Sequence, residues 1–379
     1  MLNFQAYPNM TKVVIPKDVN EGADFSNKFK DLRLLSKINV ELDQVVNMSC
    51  AYYNCWNLTG EPVCGNNVTN MCRAYYNCWN LTGEPVCGEN VTNISYAYAD
   101  CQNLTGSPVC GENVINMCDT YCNCTNLTGS PVCGPNVTNM SGAYYRCSNL
   151  TGSPVCGNNV TNMGSAYQGC SNLTGSPVCG ENVIYMGSAY QGCSNLTGSP
   201  VCGENVIYMG SAYRSCRNLT GSPVCGNNVT IMNHTYNGCT NLTGSPVCGN
   251  NVTSMYHTYN CCFKLTGSPV CGENVINMCH TYNGCYNLAG NAYFYSNNIT
   301  NVICCFRDRN ASNMLNIYIH ENTTTLNTLL ISSASRSLVG ATITWTNDVT
   351  TNGYYYNTSY NIYIYPVANV QEARETNGD

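Results

Sequence analysis

Apolar side chains return along this chain on a period that is neither that of a strand nor that of a helix. Leucine recurs at Leu58, Leu81, Leu104, Leu127, Leu150, Leu173, Leu196, Leu219, Leu242, Leu265 and Leu288, each 23 residues after the last. Numbered from that leucine, the unit reads L-T-G-S-P-V-C-G-x-N-V-x-x-M-x-x-A/T-Y-x-x-C-x-N, and residues 164–186 recur unchanged as 187–209. Its apolar residues stand at positions 1, 6, 11, 14, 17, 18 and 21. A unit this short has no interior of its own, so it buries those side chains only against the units before and after it. The expected fold is a mixed α/β repeat, a solenoid of about 12 coils.

Within a coil, positions 4–7 predict a strand of three or four residues, kept short by the proline at position 5 (Pro62 through Pro269), which has no N–H to give a ladder. The V-x-x-M step predicts a second strand. The small residue, the aromatic and the thiol at 17, 18 and 21 (Ala189, Tyr190, Cys193) have the spacing of one inward-facing helical turn. Glycines at 3 and 8 mark corners that call for positive φ. The asparagines at 10 and 23 (Asn182, Asn195), with Lys264 the departure, predict buried amide ladders between coils.

Four segments follow. Residues 1–34 form an N-terminal cap, in which Met10, Val13, Ile15, Pro16 and Val19 echo the repeat, and Phe25, Phe29 and Leu32 fall at helical spacing. Residues 35–306 form the repeat array, opened by L-x-x-I-x-V at Leu35, Ile38 and Val40 and ending in a decayed coil with one inserted residue before Ile299. Residues 307–371 predict a small β-α-β-β cap: a strand from Met314, a helix carrying Leu326, Leu329 and Leu330, strands at 343–345 and 361–365, and a turn at Asn352–Gly353. Residues 372–379 predict a polar, disordered tail.

With these residues in hand, the unit resembles the BspA-like leucine-rich repeat. The resemblance is carried by Val178–Gly180, Asn182–Met186 and Ala189–Cys193 and spans residues 35–306. It departs where the family's Ile-Pro step becomes Val-Cys-Gly with an extra residue. It implies a right-handed leucine-rich-repeat-like solenoid with short strands and single helical turns, used for adhesion and binding at bacterial, protist or virus surfaces. Similar proteins with near-identical coils include structural and tail-associated products of gut bacteriophages.

Composition narrows the function classes. Charged residues make up 9% of the chain, against about 25% ordinarily. A net charge of −6 without a basic cluster argues against nucleic acid and acidic membranes as partners, and no apolar run is long enough to span a bilayer. The N-terminal residues carry no basic and apolar export signal, so the expectation is synthesis in the cytoplasm. Two cysteine columns, Cys64 to Cys271 and Cys55 to Cys285, are read as buried thiols packing like small hydrophobes. Disulfides are the alternative, though in-register side chains point the same way rather than at each other. Metal binding is a weaker one, because no CxxC pairs with another at ligand spacing. His234, His257 and His280 share position 16 and predict a stacked, solvated column, with a casual metal site the lesser reading; His320 stands alone. The N-x-T triplets at Asn57, Asn80 and Asn103 are by-products of the asparagine column meeting Leu-Thr. No nucleophile–base arrangement, paired carboxylates or phosphate loop is present, so no catalytic residue, cofactor or metal is expected.

Function is sought where the coils vary, at positions 13, 16, 19, 20 and 22. The candidate binding residues are Trp56, Trp79, Phe263 and Tyr286 at 22, Tyr76 and Tyr145 at 19, and Tyr185 and Tyr208 at 13. Aromatics in a field of Asn, Ser and Gln suit recognition of a glycan or a protein; unconstrained drift is the alternative. The expectation is a non-enzymatic adhesion protein on a virion, in or near a phage tail or fibre, or on an extracellular cell surface. Its partners would be a host glycan or protein, and other virion or surface-assembly proteins. The alternative is a structural spacer or self-assembling fibre subunit.

Overall fold

A computed structural model describes residues 4–15, 22–40, 42–330, 338–339, 353–357 and 359–378. The chain divides into two compact units, Met1–Tyr185 with Ala189–Leu196, and Met186–Ser188 with Thr197–Asp379. The same coil builds both.

The coil is held by an alternation in where backbone N–H groups point. In the coil from Leu58, the N–H groups of Met71, Arg73, Tyr75 and Asn77 donate to the next coil, at Asn93, Ser95, Ala97 and Ala99, over 2.7–2.9 Å. The N–H groups between them, of Ala74, Tyr76 and Cys78, close turns onto carbonyls three residues back. Positions 14–21 are therefore overlapping turns and not the expected helical turn. Two left-handed residues per coil, at 16 and 20, make this path: Arg73 at φ 55° and Asn77 at φ 62°, for example. A helix interior excludes that conformation, and Gly, Asn and Asp adopt it at least cost.

The same geometry reaches back over residues 24–34. Asp24 bridges to Asn47, Asn27 and Asp31 are left-handed, and the Phe29 N–H donates to Ala51 O. The helical spacing expected of Phe25, Phe29 and Leu32 is thus a coil of the repeat, lying inside the segment read as a cap. Ahead of it stand a short 3-10 helix, Phe4–Ala6, and strand β1, Lys12–Val14; Pro16 and Val19 lie outside the described residues.

Strands form where the proline is missing, or where the next coil lacks it. Position 5 is Asn39 in the coil from Leu35 and Ala292 in the coil from Leu288. There β2 (Lys37–Asn39) pairs with β1, and β4 (Gly290–Phe294) pairs with β3 (Val270–Cys271), which begins just after Pro269. In the coils from Leu58 to Leu242 positions 4–7 form no strand, because the proline at position 5 cannot donate. The V-x-x-M step contributes single parallel bridges at position 13, as in Asn70↔Asn93. In this arm the proline turns inward, as Pro62 does, while the valine after it, expected inward, is half-exposed or exposed, as at Val63.

Of the two corner glycines only position 3 needs positive φ, +78° at Gly152. Position 8 needs closeness instead. A Cβ on Gly134 would stand 2.8 Å from Gly111 O and 3.0 Å from the Cys110 Sγ of the preceding coil.

The leucine at position 1, valine at 11, methionine at 14, tyrosine at 18 and cysteine at 21 are fully buried in the inner coils, as Leu150, Val160, Met163, Tyr167 and Cys170 show. Tyrosines at 18 stack coil on coil: Tyr98, Tyr121 and Tyr144 at 5.6 Å in the first unit, and Tyr213 and Tyr236 at 5.6 Å in the second. Their hydroxyls are used as well. Tyr144 Oη donates to Val132 O at 2.6 Å and accepts from Val132 N–H at 3.0 Å, tying the tyrosine stack to the proline arm. The cysteines at 21 are buried thiols that do more than pack: Cys124 Sγ donates to Tyr98 O, and Cys147 Sγ to Tyr121 O, of the preceding coil. The thiols at 7 are mostly half-buried.

The asparagine columns lie on the surface, contrary to expectation. At position 10 the amide reaches a backbone carbonyl of the preceding coil, Asn90 Nδ2 to Asn66 O at 3.0 Å. At position 23 amide meets amide over 3.5 Å, Asn80 Nδ2 to Asn57 Oδ1. The buried path is taken up by Leu, Met, Tyr and thiol, which leaves the amides outside.

After the repeats, β5 (Leu315–His320) adds to β4, β7 (Ile362–Val367) to β5, and β6 (Tyr355–Asn357) to β7, giving the order β3-β4-β5-β7-β6 with β6 antiparallel. In-register Tyr293, Tyr318 and Tyr365 stack across three of these strands. The expected helix is α1 (Thr324–Leu330), with Leu326 and Leu329 buried. Arg309, most of its guanidinium buried, donates to the carbonyls of Asn313, Tyr360 and Asn361; burial lowers its pKa to about 10. The strand expected at 343–345 and Asn352 lie outside the described residues. The tail expected to be disordered is instead α2 (Val370–Asn377), capped by Asn369 accepting from Gln371 and Glu372 N–H, and closed by left-handed Gly378.

Candidate binding site

Left-handed backbone at 16 and 20 turns positions 16, 19 and 22 outward, so like residues stack from coil to coil. Trp56 and Trp79 lie ring on ring at 5.1 Å and 2°, with the Arg33 guanidinium 4.3 Å from the Trp56 ring centre. Beside them, at position 19, Tyr53 and Tyr76 stack at 4.9 Å, with Lys30 Nζ 5.2 Å from the Tyr53 centre. At position 16 the Arg73 guanidinium sits 4.9 Å over Tyr96. Beside the tryptophans, an open groove of about 310 Å³ is lined by Lys30, Cys50, Tyr53, Arg73, Tyr76 and Tyr96. Burial raises the Tyr76 pKa, with Asp100 adding to it, and burial followed by Asp119 raises that of Tyr96 to about 12. Both phenols keep their protons at neutral pH and remain hydrogen-bond donors.

Of the eight aromatics singled out from the sequence, this cluster gathers Trp56, Trp79 and Tyr76. Tyr145 lies apart under the Arg146 guanidinium, 5.2 Å from its ring centre. Phe263 and Tyr286 form a stacked pair of their own, 5.1 Å apart, in the second unit. Tyr185 and Tyr208 occupy position 13, where other coils use asparagine to close a local turn, as Asn162 Oδ1 does by accepting from Gly164 N–H. The Tyr185 ring covers Gly164 so closely that a Cβ there would meet it at 2.6 Å. Tyr208 likewise crowds Gly210. These two tyrosines pack over glycines.

Lys30, Arg33, Tyr53, Arg73 and Tyr96 were not among the residues picked from the sequence. The available signal was register: Lys30 and Arg33 precede Tyr53 and Trp56 by one period.

In the second unit His234, His257 and His280 stack at 5.0 and 4.5 Å, with Tyr256 edge-on to the first two. Parallel rings do not converge on an ion, and among the described residues no three His, Cys, Asp or Glu side chains are placed to hold a metal. Burial lowers all three pKa values, His257 to about 4 with its histidine neighbours adding to the effect. Among the described residues no helix is long and apolar enough to cross a membrane.

A coil with inward leucines, stacked on its copies through backbone bonds, defines a leucine-rich-repeat solenoid. Among solved structures the chain is similar to a leucine-rich repeat protein from Bacteroides ovatus, with TM-score 0.60 and 17% identity over 82% of this chain and 79% of that one. The likeness is one of fold. It also aligns, at TM-score 0.41 and 15% identity, with a leucine rich cell surface protein from Faecalibacterium prausnitzii, over 84% of this chain and 89% of that one. No protein-family model matches the chain, and a search of curated proteins finds no match.

Proposed function

We propose that this is a non-enzymatic binding and adhesion protein, displayed on a cell surface or a virion, that holds a glycan or a protein through its outward variable positions. The observation that carries the reading is the groove lined by Lys30, Tyr53, Arg73, Tyr76 and Tyr96, with the Trp56–Trp79 stack beside it. Aromatic and arginine side chains contribute most where surfaces are recognised. Their loss should therefore be felt in binding before it is felt in stability. The test is a glycan array and a host-surface extract probed with the parent chain and with a Tyr76→Ser/Trp79→Ser variant. The reading expects retained ligands to be lost by the variant at an unchanged melting temperature. Equal retention by both chains would remove this face from the function.

A further inference from the structure

Resting on that reading, we propose that the groove of Lys30, Tyr53, Arg73, Tyr76 and Tyr96 takes a single carboxylate-bearing sugar ring, such as a sialic or uronic acid residue. Its volume of about 310 Å³ sits at the lower end of small-ligand sites, about 300–1,000 Å³. That is room for one ring on the groove's floor. Two cations flank it, Lys30 over Tyr53 and Arg73 over Tyr96, and among the described residues no carboxylate pairs with either.

No acid lines the groove itself, and the nearby ones hold hydrogen bonds of their own. Asp31 Oδ1 accepts from Asn54 Nδ2 at 2.8 Å, Asp100 Oδ1 from Asn123 Nδ2 at 2.8 Å, and Asp119 Oδ2 from the Cys118 thiol at 3.1 Å, while Asp119 also bonds the Tyr96 phenol at the groove's edge. The groups an anion meets inside the groove are thus the two cations, although Asp100 and Asp119 stand behind its tyrosines and the chain as a whole carries −6. The mutual stacking of Tyr53 and Tyr76 covers one face of each ring, so the edges and phenol hydroxyls of these rings are what the groove has to offer. Aromatic edges carry positive partial charge, phenols donate, and guanidinium pairs with carboxylate in a planar, two-bonded fork. The next coils hold Asp119, Cys122 and Thr125 at 16, 19 and 22, and no cation follows there until Arg146. A long acidic peptide therefore finds no basic track beyond the groove.

The test is a titration of the full chain with 3′-sialyllactose, digalacturonate, lactose and capped tetraglutamate, read by ligand-observed NMR and calorimetry. The proposal expects saturable binding of at least one acidic saccharide, with sialyllactose and digalacturonate separating a terminal from a chain-internal acid. Lactose should bind at least tenfold more weakly. Lys30→Gln and Arg73→Asn should each weaken binding at least fivefold at unchanged melting temperature, asparagine being suited to the φ of 55° at that position. Thr125→Ala, at position 22 outside the groove, should change it less than twofold. Failure of both acidic saccharides to bind, equal binding of lactose, or tetraglutamate matching the sugars would each overturn the assignment. The broader adhesion reading would still stand or fall by its own Tyr76/Trp79 variant.

Discussion

The tyrosine at position 18 does two jobs in one side chain, and they can be separated. Its ring fills the core, and its hydroxyl satisfies both backbone groups of the position-6 valine in an arm that has no strand partners, as Tyr144 does for Val132. Tyr144→Phe keeps the ring but strands the Val132 N–H and C=O, so it should cost about 1–3 kcal/mol. Tyr52 is the internal control, since its buried hydroxyl has no partner. Tyr52→Phe should fall within about 0.5 kcal/mol of the parent. Urea titration of both variants decides it, and equal losses would show that the hydroxyl contributes nothing. Glycine separates in the same manner. Gly134→Ala places a methyl against a carbonyl oxygen and a thiol of the preceding coil and should cost about 1–3 kcal/mol. Gly192, at φ +79°, leaves its would-be Cβ in ordinary contact, with Gly169 Cα nearest at 3.7 Å. Gly192→Asn should be tolerated within about 1 kcal/mol, since asparagine already serves position 20 in other coils. If Gly192→Asn proved the costlier change, the two glycine roles would be reversed.

At the scale of the element, side-chain columns inherit the environment of the turn that carries them. The histidine column is the titratable case, faced by Arg214 and Arg307 as well as by its own members. His257 is held at about 4 in the fold, against about 6.5 unfolded. Between those values the unfolded chain binds the extra proton, so stability is full above about pH 6.5 and declines as pH falls toward 4. His257→Asn keeps the left-handed backbone and removes the titration, so its melting temperature should depend less on pH across that window. A parallel pH profile for both chains would assign the decline to other groups. How the elements were read from sequence turns on the same local chemistry. The 23-residue period and the inward Leu, Met, Tyr and Cys were legible because stacking repeats them in every coil. The turn at 14–21 was misread because small, aromatic and thiol residues at 17, 18 and 21 fit a helical turn and a run of overlapping turns alike. The distinguishing mark lay at 16 and 20, where Gly, Asn, Asp, Ser and His collect for their tolerance of positive φ. Of the groove Tyr76 stood out by size, as Trp56 and Trp79 beside it did. Lys30 and Arg33 were hidden because their coil lacks the leucine–proline–cysteine arm that marks the others. Helix α2 was signalled by Asn369, Glu372 and Gly378 and lost in a segment judged by polarity.

At the scale of the molecule, a repeat array is stabilised by neighbour contacts, so access to its core comes through opening of coils. The thiols report on this. Burial pushes Cys55 and Cys110 to about 12 and Cys64 and Cys225 to about 11, and Cys124 well above the ordinary thiol value. At pH 7.5 a thiol of pKa 11 is ionised to about one part in three thousand, and only the thiolate attacks an alkylating agent. Alkylation of the buried column should therefore wait on local unfolding. With iodoacetamide and peptide-resolved mass spectrometry, Cys147, buried between intact coils and bonded to Tyr121 O, should stay unmodified over hours in native buffer. It should label fully within minutes in denaturant. Subdenaturing urea should raise its labelling together with that of Cys124 and Cys170, because the three lie in successive coils that support one another. Rapid native labelling of Cys147 would mean that its coil opens alone, and that the backbone bonds running from coil to coil do not make the repeats cooperative.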